Sequence, residues 1–150
     1  MRAERTPARA RRTLTAVLLC LGIAATPTAV ANAGAPDTAR AACSLRQQRP
    51  HADAIGNVFS FDLYCDNLAS DVYGRAAFDA PITGRLMMSP SWFVCWTEGS
   101  APAGESRVWY YTQADRVLTQ RRIKGWGVVP ARIVQAPAHP YPGLPRCSWF

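Results

Sequence analysis

The sequence is poor in the residues that carry chemistry. It has two histidines, His51 and His139, each in a proline-containing polar stretch. Among its cysteines no two have the close spacing of a zinc knuckle. Internal repeats and long amphipathic helical patterns are missing, so a small all-β fold is expected. The one sustained apolar run, Thr13 to Ala25, is too short to anchor a chain across a bilayer.

Charge of one sign is also scarcer than the total suggests. The 17 basic and 10 acidic residues give a formal +7, but Arg2, Arg5, Arg9, Arg11 and Arg12 crowd the N-terminus. They precede the apolar run, and small residues follow at Ala29, Ala31 and Ala33. That order is a secretory signal peptide over residues 1–33. Cleavage after Ala33 is favoured over Ala31, because the loose segment GAPDTARAA follows. Cys20 is preceded by Leu19, where a lipid-attachment signal wants a small residue, so no lipid anchor is expected. Without residues 1–33 the chain keeps 12 basic and 9 acidic residues, a net +3. Nucleic-acid binding thereby loses its compositional argument. The remaining cations are dispersed except for Arg121, Arg122 and Lys124, a cluster that reads as a solvated loop able to meet an anionic surface.

What the mature chain does have is four cysteines, Cys43, Cys65, Cys95 and Cys147, in an oxidising compartment. A core built from roughly 120 residues is marginal without staples, so two disulfides are expected. Three pairings are open. Spacings of 22, 30 and 52 residues argue against zinc as the use of these thiols.

It also has aromatic strands. Residues 34–42 are small, polar and expected to be disordered; Cys43 to Asn57 reads as a loop, with Pro50 and Gly56 as breakers. VFSFDLY, Val58 to Tyr64, reads as a strand, and Val72 to Met88 as a hairpin with a long irregular arm. Trp92 to Trp96 is one strand, with Trp92, Val94 and Trp96 on one side and Phe93 and Cys95 on the other. Arg107 to Gln113 and Gly125 to Val129 are two more, joined by a polar connection with a helical turn. Ala131 to Val134 reads as a single turn feeding a last short strand. Four of the five tryptophans fall between Trp92 and Val134. The tail that follows carries prolines at 137, 140, 142 and 145, favours an extended form and cannot enter a sheet interior.

The order of these elements resembles a bacterial Src-homology-3-like domain. VYGRAAFDAPITGRL resembles its first strand, long loop and return; SWFVCW and VWYYT its next two strands; GWGVVPARIV its closing strand and short helical turn. VWYYT, WGVVPA and YPGLPRC together also look like small secreted actinobacterial proteins carrying such a domain. The resemblance covers Val72 to Val134. It implies a small barrel of five to six short antiparallel strands within residues 72–150, preceded by an N-terminal extension over 43–71 with one strand. It departs from the peptide-binding eukaryotic relatives in two places: Arg75 and Arg85 flank Asp79 in the long loop, and Ile133 stands where a groove tyrosine would fall. Binding of proline-rich ligands in that mode is therefore not expected.

Catalysis finds little support. Surface positions are expected for both histidines, and carboxylate pairs such as Asp62 with Asp66 or Glu98 with Glu105 would have to lie about 5–10 Å apart in a cleft to cleave a glycoside. With both disulfides formed no thiol remains as nucleophile. Neither an enzyme nor a metal nor a cofactor is expected. Binding potential rests on aromatics that a two-faced sheet cannot all bury, because Val108 and Tyr110 oppose Trp109 and Tyr111; the candidates are Tyr73, Trp96, Trp109, Tyr111 and Trp126. The family resemblance implies cell-wall peptidoglycan or an extracellular peptide as partner for a secreted, monomeric, non-catalytic module that neither binds nucleic acid nor spans a membrane. The alternative is a small inhibitor of an extracellular hydrolase, presenting the loop Thr97 to Ser106. PAHP and PGLP in the tail suggest that the chain's own C-terminal segment, fastened through Cys147, covers the aromatic face.

Overall fold

The computed structural model describes residues 43–149, so the expected signal peptide, its cleavage site, Cys20 and the linker 34–42 lie outside the described residues. Nine strands are formed among the described residues: β1 (Cys43–Ala52), β2 (Val58–Cys65), β3 (Ser70–Tyr73), β4 (Ile82–Leu86), β5 (Ser91–Phe93), β6 (Cys95–Glu98), β7 (Val108–Gln113), β8 (Arg116–Val117) and β9 (Trp126–Pro130). Single 3-10 turns at Arg121–Ile123 and Ala131–Ile133 complete the elements, and no α-helix occurs among the described residues. One antiparallel sheet has the order β1-β2-β5, the other β6-β7-β9-β3-β4-β8. The all-β expectation holds. The expected barrel of five or six strands does not, since the two sheets do not close into one.

The reason lies in the run Trp92–Trp96. It is not one strand but two, β5 pairing with β2 and β6 with β7, separated by Val94 alone. Trp92 and Val94 pack on one core cluster and Phe93 on another, as strict alternation requires; Cys95 then joins Val94's cluster and Trp96 joins Phe93's. Two consecutive side chains on one face shift the alternation by one residue, and the chain passes from the small sheet to the large one.

A second departure is β1. The stretch expected as a loop is a ten-residue strand. Its partners run from Cys43↔Cys65 to Gln47↔Phe61 and resume at His51↔Phe59, and in the irregularity between them Gln48 has φ 56°. Pro50 sits in this bulge on an edge strand, where its missing N–H breaks no ladder. The polar composition that suggested a loop, with Arg46, Gln47, Gln48 and Arg49, suits a strand whose outer edge faces water.

The large sheet is covered on both faces. Every residue of β9, and all of β7 except Gln113, is buried. On one face Tyr110 and Val129 pack with Leu63, Phe93, Val72, Leu86 and Ile133, so the small sheet lies against this side. On the other face Trp109, Tyr111, Trp126 and Val128 pack with Val94 and with half-buried Phe59, Tyr73 and Phe78. Burying each large ring stabilises the fold by about 2–3 kcal/mol.

Disulfides join Cys43 to Cys65 and Cys95 to Cys147. The first links directly opposed residues of β1 and β2. The second fastens the proline-rich tail to β6, the outer strand of the large sheet. There the tail adds a parallel bridge at Trp96↔Arg146, with the Trp96 amide donating to the Pro145 carbonyl at 3.0 Å and the Cys147 amide to the Trp96 carbonyl at 2.8 Å. The tail thus satisfies an edge that would otherwise stay open. The expected last strand after Ala131–Ile133 reduces to a bridge between Val134 and Asn67.

Candidate functional site

Two strands and a turn bring the site together. Tyr111 on β7 and Trp126 on β9 point to the same face, their ring centroids 5.1 Å apart. Behind them β9 passes so close to β3 that a Cβ on Gly127 would strike the Tyr73 carbonyl, so only glycine lets the strands approach here. The turn between β1 and β2 then folds over this face. Its organiser is Asp53: one carboxylate oxygen accepts the amides of Ile55 and Asn57 at 3.0 and 2.9 Å, the other the Asn57 side-chain amide at 2.8 Å and the Tyr111 hydroxyl at 3.1 Å. Burial would raise the Asp53 carboxyl pKa, but these four donors outweigh it and hold it below the ordinary aspartate value. The same pairing, with burial as its main cause, pushes the Tyr111 phenol far above its ordinary value, so Tyr111 donates at all physiological pH.

The result is an open cleft of about 220 Å3 walled by Ala54, Ile55, Tyr111, Ile123, Trp126 and Trp149, with Gly74 and Gly127 in its floor. Trp149 comes from the tail, two residues past the disulfide, and stands 5.5 Å from both Tyr111 and Phe59. Ile55 is 69% exposed on the rim. A second hollow of about 250 Å3 lies among Tyr64, Met88, Pro90, Trp92, Gln113 and Asp115. One oxygen of Asp115 there accepts the amides of Met87 and Met88 at 2.6 and 2.8 Å.

The five aromatics singled out from the sequence separate into three places. Tyr111 and Trp126 line the cleft with their edges while their bulk is buried. Trp109 is fully buried, its indole N–H donating to the Ser100 carbonyl at 3.0 Å, and half-buried Tyr73 meets it edge-on at 5.6 Å. These two belong to the core. Trp96 lies under the tail: its indole N–H donates to the Leu144 carbonyl at 3.0 Å and Arg146 covers its ring at 5.5 Å. Hairpin, long loop and tail each cover part of this aromatic set, the tail lying over Trp96. Ile55, Ile123 and Trp149 were not singled out. Only the pairing of Cys147 with Cys95 places Trp149, and that pairing was open from sequence.

The histidines are not the solvated surface groups expected. His51 Nε2 lies 2.7 Å from Asp62, and its ring stacks on Trp92 at 4.0 Å. Asp62 is completely buried and also takes both prongs of Arg46, at 2.8 and 2.7 Å. These three groups satisfy one another in the manner of a structural network. His139 Nδ1 lies 2.8 Å from the Tyr110 hydroxyl, which also accepts the Tyr141 amide at 3.0 Å. The two histidines have different partners, and Glu105 of the second carboxylate pair bonds Arg132 at 2.9 Å. No group of three metal-ligating side chains occurs among the described residues. The loop Thr97 to Ser106 begins inside β6 and is strapped at its base, where the Gly99 amide donates to Arg107 and the Ser100 amide to Ala76, both at 2.9 Å. Beyond that strap Pro102 to Ser106 is exposed. No helix of the described residues is long and apolar enough to cross a membrane. Comparisons with protein-family models, with curated proteins and with solved structures find no match.

Proposed function

We propose that the protein is a secreted, non-catalytic binding module that seats its ligand, a wall peptidoglycan peptide or another extracellular peptide, in the cleft of Tyr111, Trp126 and Trp149. The observation that carries this reading is the convergence of three aromatic rings and two isoleucines on one open hollow. Rigid rings give large contact area at low entropic cost. The carboxylate behind the wall, Asp53, is committed to its four donors and holds the wall in shape. The basic leader and the two disulfides support secretion, and the resemblance of Val72 to Val134 to a bacterial Src-homology-3-like domain supports a cell-wall ligand. The test is a pull-down of the oxidised mature protein with insoluble peptidoglycan and with peptides released from it. Retention that falls at least tenfold in Ile55→Asp is expected; equal retention of the variant removes the cleft from the reading, and no retention of either protein removes the wall ligand.

The strapped loop favours one further reading. Residues Pro102 to Ser106 protrude above a hydrogen-bonded base, a geometry suited to presentation to an extracellular hydrolase. Inhibition of a secreted protease or lysozyme, lost on replacing Pro102–Ser106 by a Gly-Ser linker, is its test.

A further inference from the structure

The cleft has one wall of a different character. Ile123, which lines it, is the last residue of the 3-10 turn Arg121–Ile123, and the residues around it are Arg121, Arg122 and Lys124. All three cations are exposed, and none has an ion pair or side-chain hydrogen bond among the described residues. The turn is held firmly in place. Left-handed Gln120 and Lys124 bracket it, the Lys124 amide donates back to Arg121 at 3.1 Å, and the Lys124 carbonyl accepts the Gln113 side chain at 2.9 Å. The acidic groups of the neighbouring elements are bound elsewhere, Asp71 and Asp79 by arginines and Asp53 and Asp115 by neutral donors that leave their charge in place. Asp53 is 8% exposed beneath Tyr111, Asp79 pairs with Arg75 and Asp71 with Arg85, and Asp115 binds the amides of Met87 and Met88. The apolar hollow therefore has, next in the chain to its Ile123 wall, three exposed cations without an ion pair among the described residues.

From this we infer that the cleft selects an acidic peptide segment, one that seats a single apolar side chain between Ile55, Ile123 and Trp126 and sets carboxylates on either side against Arg121, Arg122 and Lys124. The inference rests on the cleft being the ligand site. Peptide is favoured over sugar by the lining. Sugar hydroxyls need polar partners, whereas the walls here are rings and aliphatic groups and the one phenol among them is engaged by Asp53. Exposed cations bring specificity and faster encounter more than tight binding, and their effect is screened by salt.

The test uses the oxidised full mature chain and acetylated, amidated pentapeptides with a central leucine flanked on both sides by two glutamates, two glutamines or two lysines. Binding is read by calorimetry and by the fluorescence of Trp126 and Trp149. The glutamate peptide is expected to bind about tenfold tighter than the glutamine peptide at 50 mM salt, from a few exposed charge pairs, with the difference collapsing at 1 M salt where the Debye length is about 3 Å. Replacing Arg121, Arg122 and Lys124 together by glutamate is expected to invert the order of the peptides. Equal affinity for all three overturns the charge inference while leaving the cleft as the site. Undiminished binding of the glutamate peptide by Ile55→Asp shows that the cleft itself is wrong. Binding of a carboxylated polysaccharide without binding of the glutamate peptide overturns the peptide assignment.

Discussion

Tyr110 and Tyr111 are neighbours on β7 and face opposite sides of the same sheet. Each is buried and each hydroxyl is engaged, but with different partners. Tyr111 donates to the ionised Asp53 in the turn that shapes the cleft. Tyr110 meets His139 and the Tyr141 amide in the tail. One hydroxyl is thus held by a tight turn near in sequence to a strand, the other by a tail whose position depends on a disulfide. The difference teaches where the stability of each cover comes from. The hairpin carries its own ladder, whereas the tail makes short backbone contacts at Trp96 and rests otherwise on Leu144, Cys147 and these side-chain bonds.

Removing residues 137–150 breaks the comparison outright. It deletes buried Leu144 and Cys147 with its disulfide, strips the edge of β6 and uncovers Trp96. The disulfide alone is worth about 4 kcal/mol in the chain-entropy account of a 52-residue separation. Against a total of about 5–15 kcal/mol, the truncated chain is expected to melt far lower, with tryptophan emission shifted to longer wavelength. Unchanged emission and melting would refute the covering role of the tail. A milder version replaces the cysteines in pairs. Loss of Cys43–Cys65, separated by 22 residues, should cost about 3 kcal/mol and leave Trp96 covered, because the β1–β2 ladder persists. Loss of Cys95–Cys147 should cost about 4 kcal/mol and increase quenching of Trp96 by acrylamide. Equal quenching in the two variants would mean that the tail stays docked without its disulfide.

Single hydroxyls sharpen the comparison further. Tyr111→Phe removes one of four donors to an ionised, buried carboxylate, and hydrogen bonds to charged groups are worth about 1.5–3 kcal/mol. Tyr110→Phe removes a neutral bond and leaves the Tyr141 amide without its partner, for about 1–2 kcal/mol. Chemical denaturation should rank Tyr111→Phe as the more destabilising, and only it should weaken ligand binding in the cleft. The reverse order would show that the tail side, not the turn side, carries the greater polar stabilisation.

How far the sequence revealed this arrangement follows from the same two tyrosines. Alternation along VWYYT says that they face opposite ways, and it says so correctly. It does not say that both faces are covered, because the covers come from β1–β2 and from the tail, remote in sequence and fixed by register and disulfide pairing. β1 was hidden by its polar residues and Pro50, which an edge strand with a bulge accommodates. The shift at Val94 and Cys95 was hidden because two apolar residues in a row suit either face. Strands with their own strong pattern, such as Val58–Cys65 and Val108–Gln113, were legible. Of the cleft, Tyr111 and Trp126 were legible as aromatics on strands, while Trp149 and the aliphatic rim depend on contacts between distant segments.

The smallest expected effect is the dependence of the tail on pH. The Tyr110 hydroxyl accepts the Tyr141 amide and keeps its own proton available to donate to His139 Nδ1. This requires neutral imidazole, and burial lowers the His139 pKa below its ordinary value while raising that of Tyr110 to about 12. A histidine depressed in the folded state binds its proton more readily when unfolded. Its contribution is therefore fully present above the ordinary histidine pKa of about 6.5 and is lost as pH falls through the folded value. Total stability also carries the contributions of every other group, so it does not isolate the effect. The difference between the wild type and His139→Gln does, because glutamine can accept from Tyr110 and cannot titrate. The difference in melting temperature should be constant above neutrality and shift in favour of His139→Gln below it; a difference that stays flat from pH 8 to pH 4 would show that the Tyr110–His139 bond does not govern how the tail holds.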